Sequence, residues 1–301
     1  MNATDRQFGP VTVLLGEKSG KYPDGNSLWI RGRDTTALLD PSLSVEARAA
    51  ELAGATDLIV QSHVHEDHVV GMHHFPDAEV HAHREDAAGL RSLDGLMAIY
   101  GYEGYDEDMR TMVVSHFHFT ARPDARDFDD GATFDLGGVR LHAIHMPGHT
   151  RGHCALLVEP EGVLFIGDID LSSFGPYYGD AWSSLEDFEQ SMRRIRDIDA
   201  RVWVSSHHVG VVEDRATFLD RLERYAARIG ERDQALLDFL DTPRQLSEMV
   251  AHRLLFPQEF QVPHLDAIER RAITQHLDRL LAQGQIERCD GDRYLRVNPN
   301  H

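Results

Sequence analysis

Four segments of this chain share one local pattern, an apolar strand-like run that ends at a histidine or a carboxylate. That pattern constrains the fold more than any other feature of the sequence. Asp57-Leu58-Ile59-Val60 runs straight into Ser62-His63, and Phe165-Ile166 ends at Gly167-Asp168. Val202-Trp203-Val204 leads through two serines to His207, and a run ending at His145 is followed by the tight turn Pro147-Gly148-His149. A buried strand fixes its terminal residue at one rim of a sheet, so four such strands deliver polar side chains to a common rim. Strands of this kind alternate here with helical patterns, which predicts an α/β (α+β) chain with sheets packed between helices.

The richest of the four is His63-Val64-His65-Glu66-Asp67-His68, followed by Val69-Val70-Gly71. The spacing predicts a loop that opens a helix. His63 and His65, two apart, face the same way in extended chain and can share one metal ion. Asp67 and His68 follow after the chain turns and can face a second ion. Imidazoles with a hard carboxylate suit zinc, iron or manganese, and geometry decides among them. With His149, Asp168 and His207 added, the candidate ligand set is complete at seven residues. A purely structural zinc site is normally closed with four ligands, so this set argues for chemistry rather than for a metal-stabilised binding or regulatory module.

Composition narrows the partners. The chain has 301 residues, a formal charge of −20, and 50 acidic against 30 basic residues, with Lys18 and Lys21 its only lysines. Such a surface repels phosphate backbones and anionic membranes at long range, which counts against a nucleic-acid partner. Cys154 and Cys289 lie far apart and form no disulfide or metal spacing. Residues 1–6 show no basic region leading into an apolar run, and no stretch approaches the roughly 18 apolar residues of a membrane span, so the expectation is a cytoplasmic protein. Of the 19 histidines, His73, His74, His81, His83, His116 and His118 fall outside the ligand positions, while His142, His145 and His153 flank His149 as packing or supporting groups.

Strands are expected at 11–15, 27–30, 36–39, 57–60, 79–83, 139–145, 154–158, 163–166 and 202–204, with helices at 44–53, 185–197 and 215–229. The pattern changes after about Gly230. Helices are expected at 234–240, 244–254 and 265–283, and Gly284 precedes a hairpin that turns at Asp290-Gly291-Asp292. Three helices and a hairpin outline a winged-helix-like module, giving a catalytic domain of residues 1–230 and a tail of residues 231–301.

From about residue 8 to 230 the sequence resembles the metallo-β-lactamase superfamily, which implies a four-layer αββα sandwich. By position, the resemblance implies that His63, His65 and His149 hold one metal ion, that Asp67, His68 and His207 hold a second, and that Asp168 bridges both. It further implies two divalent ions, Zn2+ first with Fe or Mn as alternatives, and a water shared between them as the nucleophile. Asp67 or Asp168 would then handle its proton. The tail resembles the winged-helix extension of the β-lactamase-like protein 2 group, which includes proposed endoribonucleases and thioesterase relatives. No cysteine occupies a motif position, Asp168 is present, and His65 stands where flavodiiron proteins carry glutamate. The pattern is therefore similar to hydroxyacylglutathione hydrolases, lactonases, thioesterases and phosphodiesterases rather than to antibiotic-hydrolysing enzymes.

The aromatic loop after Asp168, which includes Phe174 and Gly175-Pro176-Tyr177-Tyr178, is the expected substrate wall. Tyr177 or Tyr178 would donate to an oxyanion, and His208 would touch substrate or stand in as a ligand. The acidic charge favours a small acyl substrate (ester, thioester or lactone) over a phosphodiester or RNA. The expected helix 265–283 mixes Arg270, Arg271 and Arg279 with Asp266, Glu269 and Asp278, so it offers no clean basic face. The tail is expected to pack on the catalytic domain, with homodimerisation as a second role.

Overall fold

The structure, a computed structural model, describes residues 5–297. Most of the N-terminal segment inspected for a leader therefore lies outside the described residues. Seven strands form one sheet in chain order: β1 (Arg6–Phe8), β2 (Val11–Leu14), β3 (Ser27–Arg31), β4 (Thr36–Leu39), β5 (Leu58–Val60), β6 (Glu79–His83) and β7 (Arg126–Phe128). The first four pair antiparallel, and β4 to β7 run parallel. A second sheet has six strands: β8 (Thr133–Asp135), β9 (Arg140–His145), β10 (Cys154–Glu159), β11 (Val163–Phe165), β12 (Val202–Val204) and β13 (Val211–Val212). They too lie in chain order, and only β11 and β12 pair parallel.

Strand alternation explains how the sheets stack. Leu28 and Ile30, Leu58 and Val60, Leu156 and Val158, and Val163 and Phe165 point into a shared core between the two sheets. Their neighbours Trp29, Ile59, Ala155 and Leu164 point outward into a second core with the helices. Because successive side chains face opposite ways, strands this apolar on both faces have to be covered twice, and four layers result. The outer layer over the second sheet includes Phe188, Met192 and Ile195 of the helix Leu185–Ile195, with Phe218, Leu222 and Tyr225 of the helix Arg215–Phe239. Ser184 caps the first of these and Asp214 the second.

The helix Arg215–Phe239 departs from the sequence reading, which has two helices on either side of Gly230. One interior glycine costs a helix only about 1 kcal/mol against alanine, and burial on both flanks offsets it. Its first half gives Phe218, Leu222, Tyr225 and Ile229 to the main core. Its last turns give Leu236 and Leu237 to a separate small core with Met249, Val250, Ile273, Leu277, Leu280 and Ile286. That core is closed by the helices Leu246–His252 and Leu265–Ala282 and by a third sheet of β14 (Arg244–Gln245), β15 (Ile286–Cys289) and β16 (Arg293–Arg296), in the order β14-β16-β15. The expected helix at 244 starts two residues later because Arg244 and Gln245 pair with Tyr294 and Arg293 instead. The sequence reading also lacks the helices Leu93–Tyr100 and Asp106–Ser115. Among the described residues no helix is long and apolar enough to cross a membrane.

Candidate metal centre

The strand ends do meet at one rim. β5 delivers Ser62 and His63, and extended chain carries His65 to the helix Glu66–Val69, which bears Asp67 and His68. The turn between β9 and β10 supplies His149, the end of β11 supplies Asp168, and the turn after β12 supplies His207. At Gly167 (φ +53°) a Cβ would overlap His153 Nε2, so only glycine lets the chain turn there and carry Asp168 onto the rim. His63, His65, Asp67, His68, His149 and His207 are all buried, and the Asp168 side chain is 15% exposed.

These seven residues come together as two groups. His63, His65 and His149 each offer a ligand atom within 4.8 Å of the others, and so do Asp67, His68 and His207. Asp168 lies between them. Its Oδ2 is 3.2 Å from His149 Nε2, while its Oδ1 is 3.1 Å from His68 Nε2 and 3.5 Å from His207 Nε2. One carboxylate oxygen thus faces each group. Asp67 Oδ2 lies 3.0 Å from His207 Nε2.

Hydrogen bonds on the far side of the rings fix which nitrogen faces inward. His149 Nδ1 donates to the Tyr177 carbonyl at 3.1 Å, and His207 Nδ1 to the carbonyls of Gly20 at 2.7 Å and Asp24 at 3.0 Å. His68 Nδ1 donates to Asp40 at 2.8 Å, and His65 Nε2 lies 3.1 Å from Asp180. In the neutral rings the proton sits on the outer nitrogen and a lone pair faces the centre. Lone pairs then oppose one another: His65 Nδ1 and His149 Nε2 are 3.0 Å apart, and His68 Nε2 and His207 Nε2 are 3.3 Å apart. His63 Nε2 and Asp168 Oδ1 are buried with no hydrogen-bond partner. Orphaned acceptors and converging lone pairs are unfavourable without a positive charge among them, so the donor set fits divalent cations.

Protons compete for the same atoms. Burial opposes charge on His65 and His207, but Asp180 beside the first, and Asp168 and Asp67 beside the second, outweigh it and raise their pKa to about 9 and about 10. Burial, reinforced by the imidazoles of His68 and His149, pushes His63 well below its ordinary value, so it stays a neutral donor. Burial disfavours the Asp168 carboxylate, yet His207, His68 and His63 hold it well below the usual carboxylate range.

Several supporting residues escape the sequence reading. Asp40, fully buried at the end of β4, accepts from the Ser62 amide at 2.7 Å, from the Ser62 hydroxyl and from His68. Asp86 ties down the His149 turn by accepting from Thr150 Oγ1 at 2.5 Å and the Gly152 amide at 2.8 Å. Tyr100 stacks on His65 at 5.3 Å and donates to Glu66. Asp40 carries a signal, since Leu38-Leu39-Asp40 has the same apolar-run-then-carboxylate form as the segment ending at Asp168. His153 supports the centre as its position suggests, accepting from the Asp168 amide at 3.1 Å.

The expected substrate contacts diverge. Tyr177 is partly exposed, its ring is 5.8 Å from His149, and its hydroxyl is 3.0 Å from both Tyr102 and Asp180. Tyr178 is fully buried, and its hydroxyl is held by His276 Nε2 at 2.8 Å and Arg232 Nη1 at 2.9 Å. His208 sits at φ +60° beside Asp170, with 3.8 Å between its Nε2 and the carboxylate. The tail grips the loops around the centre: Arg271 donates to the Tyr100 carbonyl at 2.8 Å, and Gln275 donates to the Tyr178 carbonyl at 2.9 Å.

Comparison with known proteins gives this arrangement relatives. A family model described as the metallo-beta-lactamase superfamily matches residues 22–226. The chain is 28% identical over 199 residues to the acyl-coenzyme A thioesterase MBLAC2 of Gallus gallus, covering 59% of this chain and 69% of that one. It is 24% identical over 287 residues to a beta-lactamase-like protein 2 homolog of Caenorhabditis elegans, covering 92% and 86%. An atrochrysone carboxyl ACP thioesterase of Aspergillus fumigatus is 26% identical over 209 residues, covering 65% of this chain and 55% of its own length. Among solved structures, a metallo-beta-lactamase family protein from Thermus thermophilus superposes with a TM-score of 0.69 at 27% identity, covering 96% of this chain and 99% of that one.

Proposed function

The chain belongs to the metallo-beta-lactamase superfamily, and from that premise we propose that it is a binuclear metal-dependent hydrolase of acyl thioesters. The observation that carries the reading is Asp168, whose two carboxylate oxygens face one triad each, the geometry of a bridging ligand. His63, His65 and His149 hold one divalent ion in this reading, and Asp67, His68 and His207 hold the other. Zn2+ is the first choice for such imidazole-rich sites, with Fe or Mn suited to the same donors. Two such ions supply Lewis acidity and lower the pKa of water.

The chain's own residues do the rest. Asp67 or Asp168, both acceptor-only when ionised, takes and relays the proton of the attacking water. The carboxylates of Asp40 and Asp180, behind the rings, hold a proton on the outer nitrogens of His68 and His65, so that each ring in its neutral form turns its lone pair inward. Tyr177 stands beside His149 and orients the carbonyl of the substrate. Its ring continues outward through Phe256 at 6.5 Å to Phe260, stacked 4.7 Å beyond and 41% exposed, an apolar run suited to an acyl chain. Tyr178 is an anchor between loop and tail in this reading, and His208 a rim residue. The thioester preference rests on the names of the relatives, acyl-coenzyme A and carboxyl ACP thioesterases.

We retain in the proposal the division into a catalytic domain of residues 1–230 and a winged-helix-like tail of residues 231–301, a cytoplasmic setting, and homodimerisation as a role for the tail. Its test is a hydrolysis screen of thioesters, lactones, aryl esters and bis-(nitrophenyl) phosphate, with His63→Ala and Asp168→Ala as controls. Thioester turnover lost in both variants supports the reading. Turnover of the phosphodiester alone would replace it with a phosphodiesterase.

A further inference from the structure

His73 and His74, which the catalytic centre does not use, lie on a short 3-10 turn, Val70–His74, that follows directly from the helix bearing Asp67 and His68. Opposite them is Glu46, on the 3-10 turn Leu43–Arg48. The two turns are held close: the Gly71 amide donates to the Pro41 carbonyl at 2.7 Å, and a Cβ on Gly71 would overlap Val45 Cγ2. The relative position of the two turns is therefore set by backbone contacts.

His73 Nδ1 donates to the Val70 carbonyl at 2.9 Å, which leaves the lone pair of the neutral ring on Nε2. That Nε2 is 4.0 Å from Glu46 Oε1, too far for a hydrogen bond, and Oε1 is buried with no hydrogen-bond partner. Two acceptors thus face each other across a gap. His74 Nε2 lies 2.9 Å from the other carboxylate oxygen, and one ligand atom from each residue lies within 4.8 Å of the others. Metal–nitrogen and metal–oxygen bonds of about 2.0–2.2 Å span a gap of that size.

We propose that Glu46, His73 and His74 form a further divalent-metal site, separate from the catalytic centre, that takes zinc or a similar borderline cation. The side chains are 26–36% exposed, so a cation reaches them directly from solvent and a water completes its shell. His118, with φ +50°, has its ring 5.6 Å from that of His73 and borders the site. A cation here clamps the turn after Asp40 to the turn after His68, and so stiffens the frame behind the Asp67–His68–His207 triad.

The test is a Zn2+ titration of the full chain by calorimetry, with bound zinc counted by elemental mass spectrometry, on wild type, His73→Ala/His74→Ala and Glu46→Gln. The wild type is expected to bind one zinc equivalent more than either variant, and added zinc is expected to raise its melting midpoint by a margin both variants lose. The count is a difference between proteins, so it reads this site whatever the centre at Asp168 holds. Equal stoichiometry and affinity in all three proteins would overturn the site. Loss in the double variant with full retention in Glu46→Gln would overturn the three-ligand assignment.

Discussion

Replacing Asp40 by asparagine changes one atom, and the structure says what that atom does. The carboxylate accepts three hydrogen bonds, from the Ser62 amide at 2.7 Å, the Ser62 hydroxyl and His68 Nδ1 at 2.8 Å, and the residue is fully buried. Asparagine keeps the shape, and it tolerates the φ of +45° as readily as aspartate does, so the backbone is not the variable. It offers only one acceptor oxygen. With its NH2 towards the Ser62 amide, two donors collide in a dry site, at a cost of about 1–3 kcal/mol. With its NH2 towards His68, the ring is driven to the other tautomer, and the proton moves to the Nε2 that should bind metal. Either way the Asp67–His68–His207 group weakens by about 10–100-fold in metal affinity, as loss of such supporting partners generally does. That range corresponds to about 1.4–2.7 kcal/mol, in line with the cost of the donor collision. The assay is competition with a colorimetric chelator, resolving the tightly held equivalents in Asp40→Asn and wild type. One equivalent should weaken by that factor while the His63–His65–His149 equivalent changes by much less. If both affinities stayed within about twofold of wild type in a folded variant, the role given to Asp40 would be wrong.

Three further outcomes follow from the same geometry. Loading the centre at pH 7 should release more than one proton per chain, because His65 at about 9 and His207 at about 10 carry protons that the cations displace; calorimetry in buffers of different ionisation enthalpy measures this, and zero release would contradict it. Phe256→Ser should raise KM for long-chain thioesters severalfold and leave short-chain KM unchanged, and an equal effect on both would remove the aromatic run from acyl recognition. Burial, with His145 stacked 4.1 Å away, lowers the His83 pKa from the ordinary 6.5 to about 4. Above 6.5 both folded and unfolded states are neutral there, and as pH falls towards 4 only the unfolded chain takes the proton, so stability declines through that window. Urea unfolding midpoints of His83→Gln should therefore fall less steeply than wild type between about pH 7 and 5, and parallel slopes would refute the assignment.

The parts of the fold that are legible in the sequence are those where burial on both faces leaves a plain mark. Leu58-Ile59-Val60 and Val202-Trp203-Val204 read as strands because every position is apolar, and the candidate ligands beyond their ends follow from where such strands must stop. Asp40 has the same signature but no histidine adjoins it in sequence to draw attention to it; its partner His68 is 28 residues away. Asp180, which braces His65, lies in a loop with no periodicity to place it. The helix through Gly230 reads as two because a glycine marks a break only when tertiary packing does not span it, and Leu236 and Leu237 span it here. Tyr177 and Tyr178 are adjacent and chemically identical, so which one faces the centre depends on the loop's path. The buried Arg232 and His276 hold Tyr178.

The most direct test of the central claim is to count metal by elemental mass spectrometry on dialysed protein, with thioester turnover measured on the same sample, in wild type and Asp168→Ala. Dialysis against a mild chelator strips the weaker equivalent proposed at His73 and leaves the tightly held ones. A bridged binuclear centre predicts two tightly held equivalents with turnover in the wild type, and loss of at least one equivalent together with turnover in the variant. A single equivalent or none in the wild type, or an Asp168→Ala variant that keeps both metals and its activity, would contradict it.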